Sequence, residues 1–179
     1  MIVEIGTSDF RTEAGKQNGL FIEPVKFYFD RLPKCNKLNI AISNYTGETD
    51  VYYIPEEDIR LNKLPNWLRG CNSIGHAHPT VVSMGLEYLV KVDKVKVERI
   101  ADVLKAQNIT SIDLLKIDTE GHDTVILNDY LDTVDFMPNK IIFESNILSK
   151  QEEVEEVVLK LMQNGYSCNQ VNFDMVCEL

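Results

Sequence analysis

The chain has 179 residues, enough for one domain with its own hydrophobic core, and 44% of them are hydrophobic and 26% charged. Its formal net charge of −10 argues against a protein that tracks a phosphate backbone, so no nucleic-acid partner is expected. No apolar run approaches the roughly 18 residues of a membrane helix, and we expect a cytoplasmic protein with no membrane partner.

The pattern of the cysteines is consistent with the expected cytoplasmic location. Cys35, Cys71, Cys168 and Cys177 form no C-x-x-C pair and show no regular spacing. Such a pattern is typical neither of a disulfide framework nor of a zinc site. We therefore interpret all four as reduced thiols.

Residues 2–5 form a predicted buried strand that ends at Gly6. Residues 3–10, VEIGTSDF, run through this strand into a polar turn, and residues 11–16 are predicted to form a short helix. A glycine at the end of a first strand lets the backbone approach a ligand, and the amides of a following helix start can hold an anion. The turn is not a G-x-G-x-x-G loop.

A second buried strand is predicted over 20–22, closed by Glu23, with a helix over 25–32. Glu23 lies 17 residues after Gly6. In nucleotide-binding α/β folds an acid near this position at the end of the second strand binds the ribose hydroxyls. The alternative is that Glu23 is simply an acid at a helix N-terminus.

A third strand is predicted over 38–42, and Ser43 and Asn44 follow at its tip. Asn44 is placed there to meet an adenine or ribose edge. Another strand at 51–54 is expected to be antiparallel. The βαβαβ order predicts a doubly wound α/β sheet.

The segment 56–85 is the least regular part of the chain and, within an insertion at about 56–90, is expected to shape a substrate mouth. It contains the only tryptophan, Trp67, and two of the three histidines, His76 and His78. A metal site built on this histidine pair alone would have too few ligands. Apolar residues in this segment also suggest a surface that a second copy of the chain covers in a homo-oligomer.

After a predicted strand at 90–97 and a helix at 98–107, an apolar run over 112–117 ends abruptly at the polar sequence DTEGHD, 118–123. A short unbroken apolar run indicates a strand buried on both faces, and ligands bind beyond the carboxyl ends of such strands. The pattern thus brings carboxylates and an imidazole to the expected ligand site. The alternative is a solvated loop with helix-capping acids.

The last part of the chain completes the predicted sheet. Residues 137–146 give a fifth buried strand that ends at Glu144, next to the strand that ends at Asp118. A helix with an apolar face follows, and runs at 166–171 and 173–179 predict a terminal antiparallel hairpin.

Six segments resemble, in order and spacing, the FkbM-type methyltransferases, which are class I enzymes dependent on S-adenosylmethionine. They are VEIGTSDF, FIEP, AISNYTGE, the Asn72-Ser73-Ile74 patch, LLKIDTEGHD and IIFE. The most specific is K-I-D-x-E-G-x-D/E at Lys116–Asp123. The resemblance implies a Rossmann-like fold with a mostly parallel seven-stranded sheet, helices on both faces and the C-terminal hairpin. It also implies one methyltransferase domain over 1–179, with a substrate-side insertion at about 56–90.

The resemblance also assigns site residues. Those implied to bind the cofactor are Glu4, Gly6, Thr7, Ser8 and Asp9 at the methionine end, Glu23 with Pro24 at the ribose, Ser43 and Asn44 at the adenine, and Asp118 near the reacting methyl group. Those expected on the acceptor side are Ser73, His76, His78 and Glu144.

The implied reaction is O-methylation of a hydroxyl on a sugar, glycan or other small-molecule acceptor. An SN2 transfer to a neutral alcohol needs a base that takes the hydroxyl proton, worth around 10²–10⁴-fold in rate. His122 has a suitable pKa, and Asp118 or Glu120 serves if desolvated.

Three alternatives remain open. Mg²⁺ held by Asp118, Glu144 and Asn146 would lower the pKa of a coordinated hydroxyl. The same frame could hold a dinucleotide for hydride transfer as an oxidoreductase, although the G-x-G-x-x-G loop is missing. A non-catalytic nucleotide-binding or interaction module is the third, because the family usually has a second glycine where this chain has Phe10.

Overall fold

Two β-sheets organise the molecule, a computed structural model that describes residues 1–8, 12–146 and 148–179. The strands are β1 (Ile2–Ile5), β2 (Gly19–Ile22), β3 (Asn36–Leu38), β4 (Ala41–Ile42), β5 (Gly47–Tyr53), β6 (Ser73–Ile74), β7 (Lys91–Glu98), β8 (Leu114–Ile117), β9 (Lys140–Glu144), β10 (Ser167–Val171) and β11 (Asp174–Glu178). The helices are α1 (Lys26–Arg31), α2 (Glu56–Leu61), α3 (Pro79–Ser83), α4 (Ile100–Ala106), α5 (Asp123–Thr133) and α6 (Gln151–Gln163), with 3-10 helices at Asn66–Arg69 and Glu87–Leu89. No helix in the described ranges is long and apolar enough to cross a membrane.

The main sheet has seven strands in the order β10-β11-β9-β8-β1-β2-β3. Strands β9, β8, β1, β2 and β3 are parallel to one another. Strand β11 runs antiparallel to both β9 and β10. The predicted α/β fold, with a mostly parallel seven-stranded sheet and a terminal hairpin, is therefore confirmed.

The core lies mainly on one face of this sheet. Helices α4, α5 and α6 contribute apolar residues such as Leu104, Tyr130 and Val157, which pack against strand residues that include Val3 and Leu115. The opposite face carries a smaller cluster built on Ile2 and Phe21, closed by Ala14 and by Leu32 at the end of α1. The alternation of side chains along β1 and β2 thus supplies both layers.

The predicted third strand at 38–42 is wrong as one strand, because the chain changes sheet within it. Strand β3 pairs with β2, whereas β4 pairs with β7 in a second, four-stranded sheet of order β4-β7-β5-β6. Between them, Asn39 donates from its side-chain amide to the carbonyl oxygens of Glu23 and Pro24, at 2.8 and 2.9 Å. These bonds fix the bend. Strand β5 is antiparallel to β7, as predicted for 51–54, but starts at Gly47.

Other segments also differ from the sequence-based expectation. The helix predicted over 11–16 is absent from residues 12–16, which form an irregular turn, and residue 11 lies outside the described part. The segment 56–90 is more regular than expected. It holds α2, α3, β6 and both 3-10 helices, and its apolar residues form a separate core of Ile54, Ile59, Leu68, Cys71, Val81 and Leu86.

The prediction of four reduced thiols is wrong for two of them. Cys168 and Cys177 form a disulfide across the terminal hairpin, while Cys35 and Cys71 are free. The two bonded residues are direct partners in the antiparallel register of β10 and β11, with their Cα atoms 4.1 Å apart. Spacing in the sequence did not reveal this pair, because the strand register decides it.

Gly6 is required where β1 meets the end of β8. Its φ angle is +79°, and a Cβ atom at this position would lie 1.9 Å from the carbonyl oxygen of Asp118. The amide of Gly6 donates to the carbonyl of Ile22 at 2.9 Å, which joins the same turn to β2. The absence of a side chain therefore lets the ends of three adjacent strands converge.

Replacing Gly6 with alanine should destabilise the fold by about 3 kcal/mol or more, because the added methyl group collides with backbone. Gly75→Ala is the matched control, since Gly75 has a φ of +78° but nothing within 4 Å of an added Cβ. This control should cost only about 1–2 kcal/mol from the left-handed backbone. Urea unfolding of both variants measures the difference, and equal losses would contradict the collision.

Candidate functional site

A cleft of about 410 Å³ lies at the carboxyl ends of β1, β2, β8 and β9. This is the edge where parallel α/β sheets bind ligands. The polar side chains that line the cleft are Ser8, Glu23, Asn66, Asn72, Ser73, Asp118, Thr119, Glu120, His122 and Glu144. Strand ends distant in sequence thus form one wall, and the segment after β5 contributes the other residues.

Glu23 connects two of the loops at this edge. Its carboxylate is 3% exposed and accepts hydrogen bonds from the amide of Ser8 at 2.6 Å and from the amide of Val25 at 2.8 Å. The second bond matches the expected acid at a helix start, since Val25 precedes α1. The side chain also lines the cleft, next to Pro24. Its ribose-binding role stays a prediction.

Glu4 supports the site from below and does not line the cleft. Its buried carboxylate forms an ion pair with Lys116 at 2.7 Å and accepts from the hydroxyl of Thr12 at 2.8 Å and the amide of Glu13 at 2.9 Å. Thr7 is also buried and absent from the lining. Of the residues expected at the methionine end, the structure brings only Gly6 and Ser8 to the cleft, and Asp9 lies outside the described residues.

Three carboxylates converge on the other side of the cleft. Oxygen atoms of Asp118, Glu120 and Glu144 lie within 4.8 Å of one another. Burial, Asp123 and Glu120 raise the pKa of Asp118 to about 7, and burial, Glu120 and Asp118 raise the pKa of Glu144 to about 9. These groups therefore repel one another when ionised, and a cation or a shared proton would stabilise them.

Asp123 holds this acidic group in place. It is fully buried, and its carboxylate accepts from the amide and hydroxyl of Thr119 at 3.2 and 2.7 Å and from the amide of Glu144 at 3.0 Å. Burial raises its pKa, while these hydrogen bonds oppose that shift. One side chain thus fixes the loop after β8 to the end of β9.

His122 lines the cleft at the start of α5. Its Nε2 lies 3.0 Å from the hydroxyl of Ser43, and burial lowers its pKa. The imidazole is therefore neutral at pH 7. Ser43 is buried behind it, and Asn44 is exposed, and neither lines the cleft. The adenine contacts expected for these two residues stay predictions.

The other two histidines have different positions. His76 is exposed and does not line the cleft. His78 is 2% exposed, and its Nδ1 accepts from the amide of Thr80, which caps α3. Its proton is therefore on Nε2, which lies 3.0 Å from Oε2 of Glu120. His78 orients Glu120 and lies behind the cleft surface.

The predicted metal ligands are partly rearranged. The side-chain oxygen of Asn146 accepts from the amide of Leu148 at 2.7 Å, and its nitrogen donates to Glu144 at 2.5 Å. That oxygen is therefore engaged in the turn after β9. Glu120 takes its place beside Asp118 and Glu144. Three carboxylates fit a hard divalent cation by ligand type.

Sequence reasoning assigned no role to Asn66 or Trp67, both of which line the cleft. Trp67 is 53% exposed, which is unusual for so large an aromatic side chain. Asn72 lies nearby, and its buried Oδ1 has no hydrogen-bond partner among the described residues. The signal in the sequence was an irregular segment with three glycines and the one tryptophan of the chain.

The family described as "Methyltransferase FkbM domain" matches residues 4–168. The crystal structure of methyltransferase FkbM from Methylobacillus flagellatus KT aligns with a TM-score of 0.59 at 10% sequence identity. The alignment covers 99% of this chain, which spans 43% of that protein, and the likeness concerns the fold alone. No curated protein matches the chain.

The acidic group gives a pH dependence with a definite sign. Unfolded Asp and Glu titrate near pH 4, below the raised pKa values of about 7 and about 9 for Asp118 and Glu144. The folded protein releases these protons at a higher pH than the unfolded chain does. Its free energy of unfolding should therefore fall as pH rises from about 4 to about 9.

Glu144→Gln should flatten this decline and stabilise the protein at pH 9 by about 1–2 kcal/mol. Converting the whole pKa shift of Glu144 at 1.36 kcal/mol per pKa unit would give a larger value, but solvent screens part of the charge. Glu57→Gln, on the exposed side of α2, is the control. Urea unfolding at several pH values measures both, and an unchanged slope in Glu144→Gln would refute the assignment.

Proposed function

This chain belongs to the FkbM methyltransferase family, and on that basis we propose that it is an S-adenosylmethionine-dependent O-methyltransferase. The proposed acceptor is a hydroxyl of a sugar, glycan or other small molecule. The observation that carries the proposal is a single cleft at the strand ends, which joins the Gly6 turn and Glu23 to the acidic motif at Asp118–His122.

The residues around Gly6 fit the proposed cofactor. Glu23 lines the cleft, and a carboxylate in that position can accept hydrogen bonds from the two hydroxyls of a ribose. S-adenosylmethionine supplies an electrophilic methyl group on a positively charged sulfonium. The acidic wall at Asp118 complements that charge, and the bare backbone of Gly6 leaves the turn close to Asp118.

Asp118 is the favoured base among the three predicted candidates. Its pKa of about 7 is matched to neutral pH, where a carboxylate both exists and accepts a proton from a hydroxyl. His122 is the second candidate, and its Nε2 faces Ser43. Glu120 faces His78. In the proposed reaction Asp118 would take the hydroxyl proton while the oxygen bonds to the methyl carbon; the bond from that carbon to the sulfonium would break and S-adenosylhomocysteine would leave with the electron pair.

Binding of Mg²⁺ is a further proposal. Asp118, Glu120 and Glu144 would hold Mg²⁺, which would lower the pKa of a bound hydroxyl. Cytoplasmic location and a homo-oligomer stay predictions. No specific observation favours the dinucleotide-dependent oxidoreductase or the non-catalytic module.

Cofactor binding is the first test. S-adenosylhomocysteine at about a hundred times its Kd should stabilise the protein by about 2.7 kcal/mol, measured by thermal unfolding, and NAD should not. Glu23→Gln should weaken binding about tenfold or more, since one charge-assisted contact is lost. The matched control Glu57→Gln should bind normally. Stabilisation by NAD alone would refute the methyltransferase assignment.

The base is tested separately. Asp118→Asn should lower methyl transfer about 10²–10⁴-fold, because the amide cannot take the hydroxyl proton. Transfer of a labelled methyl group to a panel of oligosaccharides measures this, and S-adenosylhomocysteine binding verifies the cleft. His122→Asn in parallel distinguishes the bases. A larger loss in His122→Asn than in Asp118→Asn would assign the role to the imidazole.

A further inference from the structure

Two residues that line the cleft, Glu144 and Asn72, carry buried oxygen atoms that receive no hydrogen bond in the described ranges. These atoms are Oε2 of Glu144 and Oδ1 of Asn72. The orientation of Asn72 is fixed, because its nitrogen donates to the carbonyl oxygen of Arg69 at 2.9 Å. When Glu144 is ionised, a ligand that satisfies both atoms presents N–H or O–H donors.

Both atoms belong to residues that line the cleft. Oxygen atoms of Glu144, Glu120 and Asp118 lie within 4.8 Å of one another, and Cys71, which precedes Asn72, is buried. Burial raises the pKa of the Cys71 thiol, and the charges of Glu120 and Glu144 add to that shift. Glu120, Glu144 and Asn72 are taken as the acceptor side of the cleft, which rests on the proposed function.

The charged side chains described on this side of the cleft are acidic. None of the lining residues that the structure describes is lysine or arginine. Lys116, the nearest cation in sequence to Asp118, forms an ion pair with Glu4, which does not line the cleft. An anionic acceptor, such as a phosphorylated or acidic sugar, would lack a compensating charge and would meet three carboxylates.

Trp67 adds an apolar surface to the cleft. Its ring is half-exposed and lines the cleft together with Asn66. An indole face packs against the C–H face of a sugar ring and attracts an ammonium group placed over it. Acidic and amide acceptors around an aromatic ring thus suit a polyhydroxylated molecule that bears a positive charge.

We propose that the acceptor is an amine-bearing carbohydrate, bound as its ammonium form by Glu120 and Glu144, with Asn72 accepting from a hydroxyl or ammonium hydrogen and Trp67 covering the ring. The ammonium supplies a positive charge to Glu120 and Glu144, and this charge favours the ionised form of Glu144 in the complex. The orientation of Glu120 toward this position depends on the buried imidazole of His78.

The test compares carbohydrates that differ mainly in charge. Oligomers of one to four sugars are titrated at pH 6.5 into protein saturated with S-adenosylhomocysteine, in three series: glucosamine, glucose and galacturonate. The glucosamine series should bind about tenfold tighter than the glucose series, and the galacturonate series should bind weakest. Equal affinity for glucosamine and glucose, tighter binding of galacturonate, or binding of none of the three overturns the proposal.

Variants assign the preference to named residues. Glu144→Gln should reduce the preference for glucosamine to about twofold and leave the affinity for the glucose series nearly unchanged. Glu57→Gln should keep the full preference. A parallel titration with Mg²⁺ tests the competing occupant, and tight Mg²⁺ binding that abolishes the glucosamine preference overturns the proposal.

The proposed function and the proposed acceptor are refuted by different results. Loss of S-adenosylhomocysteine binding in the unmodified protein would refute the proposed function, whatever the order of the three series. Intact S-adenosylhomocysteine binding with a flat or reversed order would refute the ammonium acceptor alone.

Discussion

The contact between the Gly6 turn and the backbone of Asp118 is the constraint on which the rest of the site depends. Strand β1 lies between β2 and β8, so its end borders both the Glu23 loop and the acidic loop. A side chain at Gly6 would separate these loops, since its Cβ would overlap the Asp118 carbonyl. Close approach of the two backbones therefore creates one cleft from two strand ends.

The carboxylates near the strand ends divide into supporting and unpaired groups. Glu4 is neutralised by Lys116 across the register of β1 and β8, and Asp123 is satisfied by hydrogen bonds from Thr119 and Glu144. Asp118 and Glu144 have no ion-pair partner in the described part of the chain, and burial together with the neighbouring carboxylates raises their pKa values. Uncompensated charge beside a cavity indicates a place where a ligand supplies the missing partner.

The segment after β5 forms the other part of the site and has its own small core. This core fixes α2, α3 and the 3-10 helix that carries Trp67. His78 links the segment to the acidic loop through Glu120. The residues that this segment contributes to the cleft are therefore held by a core separate from that of the main sheet.

The sequence by itself determined the α/β sheet, the terminal hairpin and the meeting of Gly6, Glu23, Asp118 and Glu144 at one edge. Local patterning was sufficient for this, because apolar runs define strands and parallel strands place their carboxyl ends together. Only the tertiary structure decided which side chains find partners: Glu4 with Lys116, His78 behind Glu120, and Cys168 with Cys177. Those pairings depend on strand register and on packing between distant segments, which local patterning does not specify.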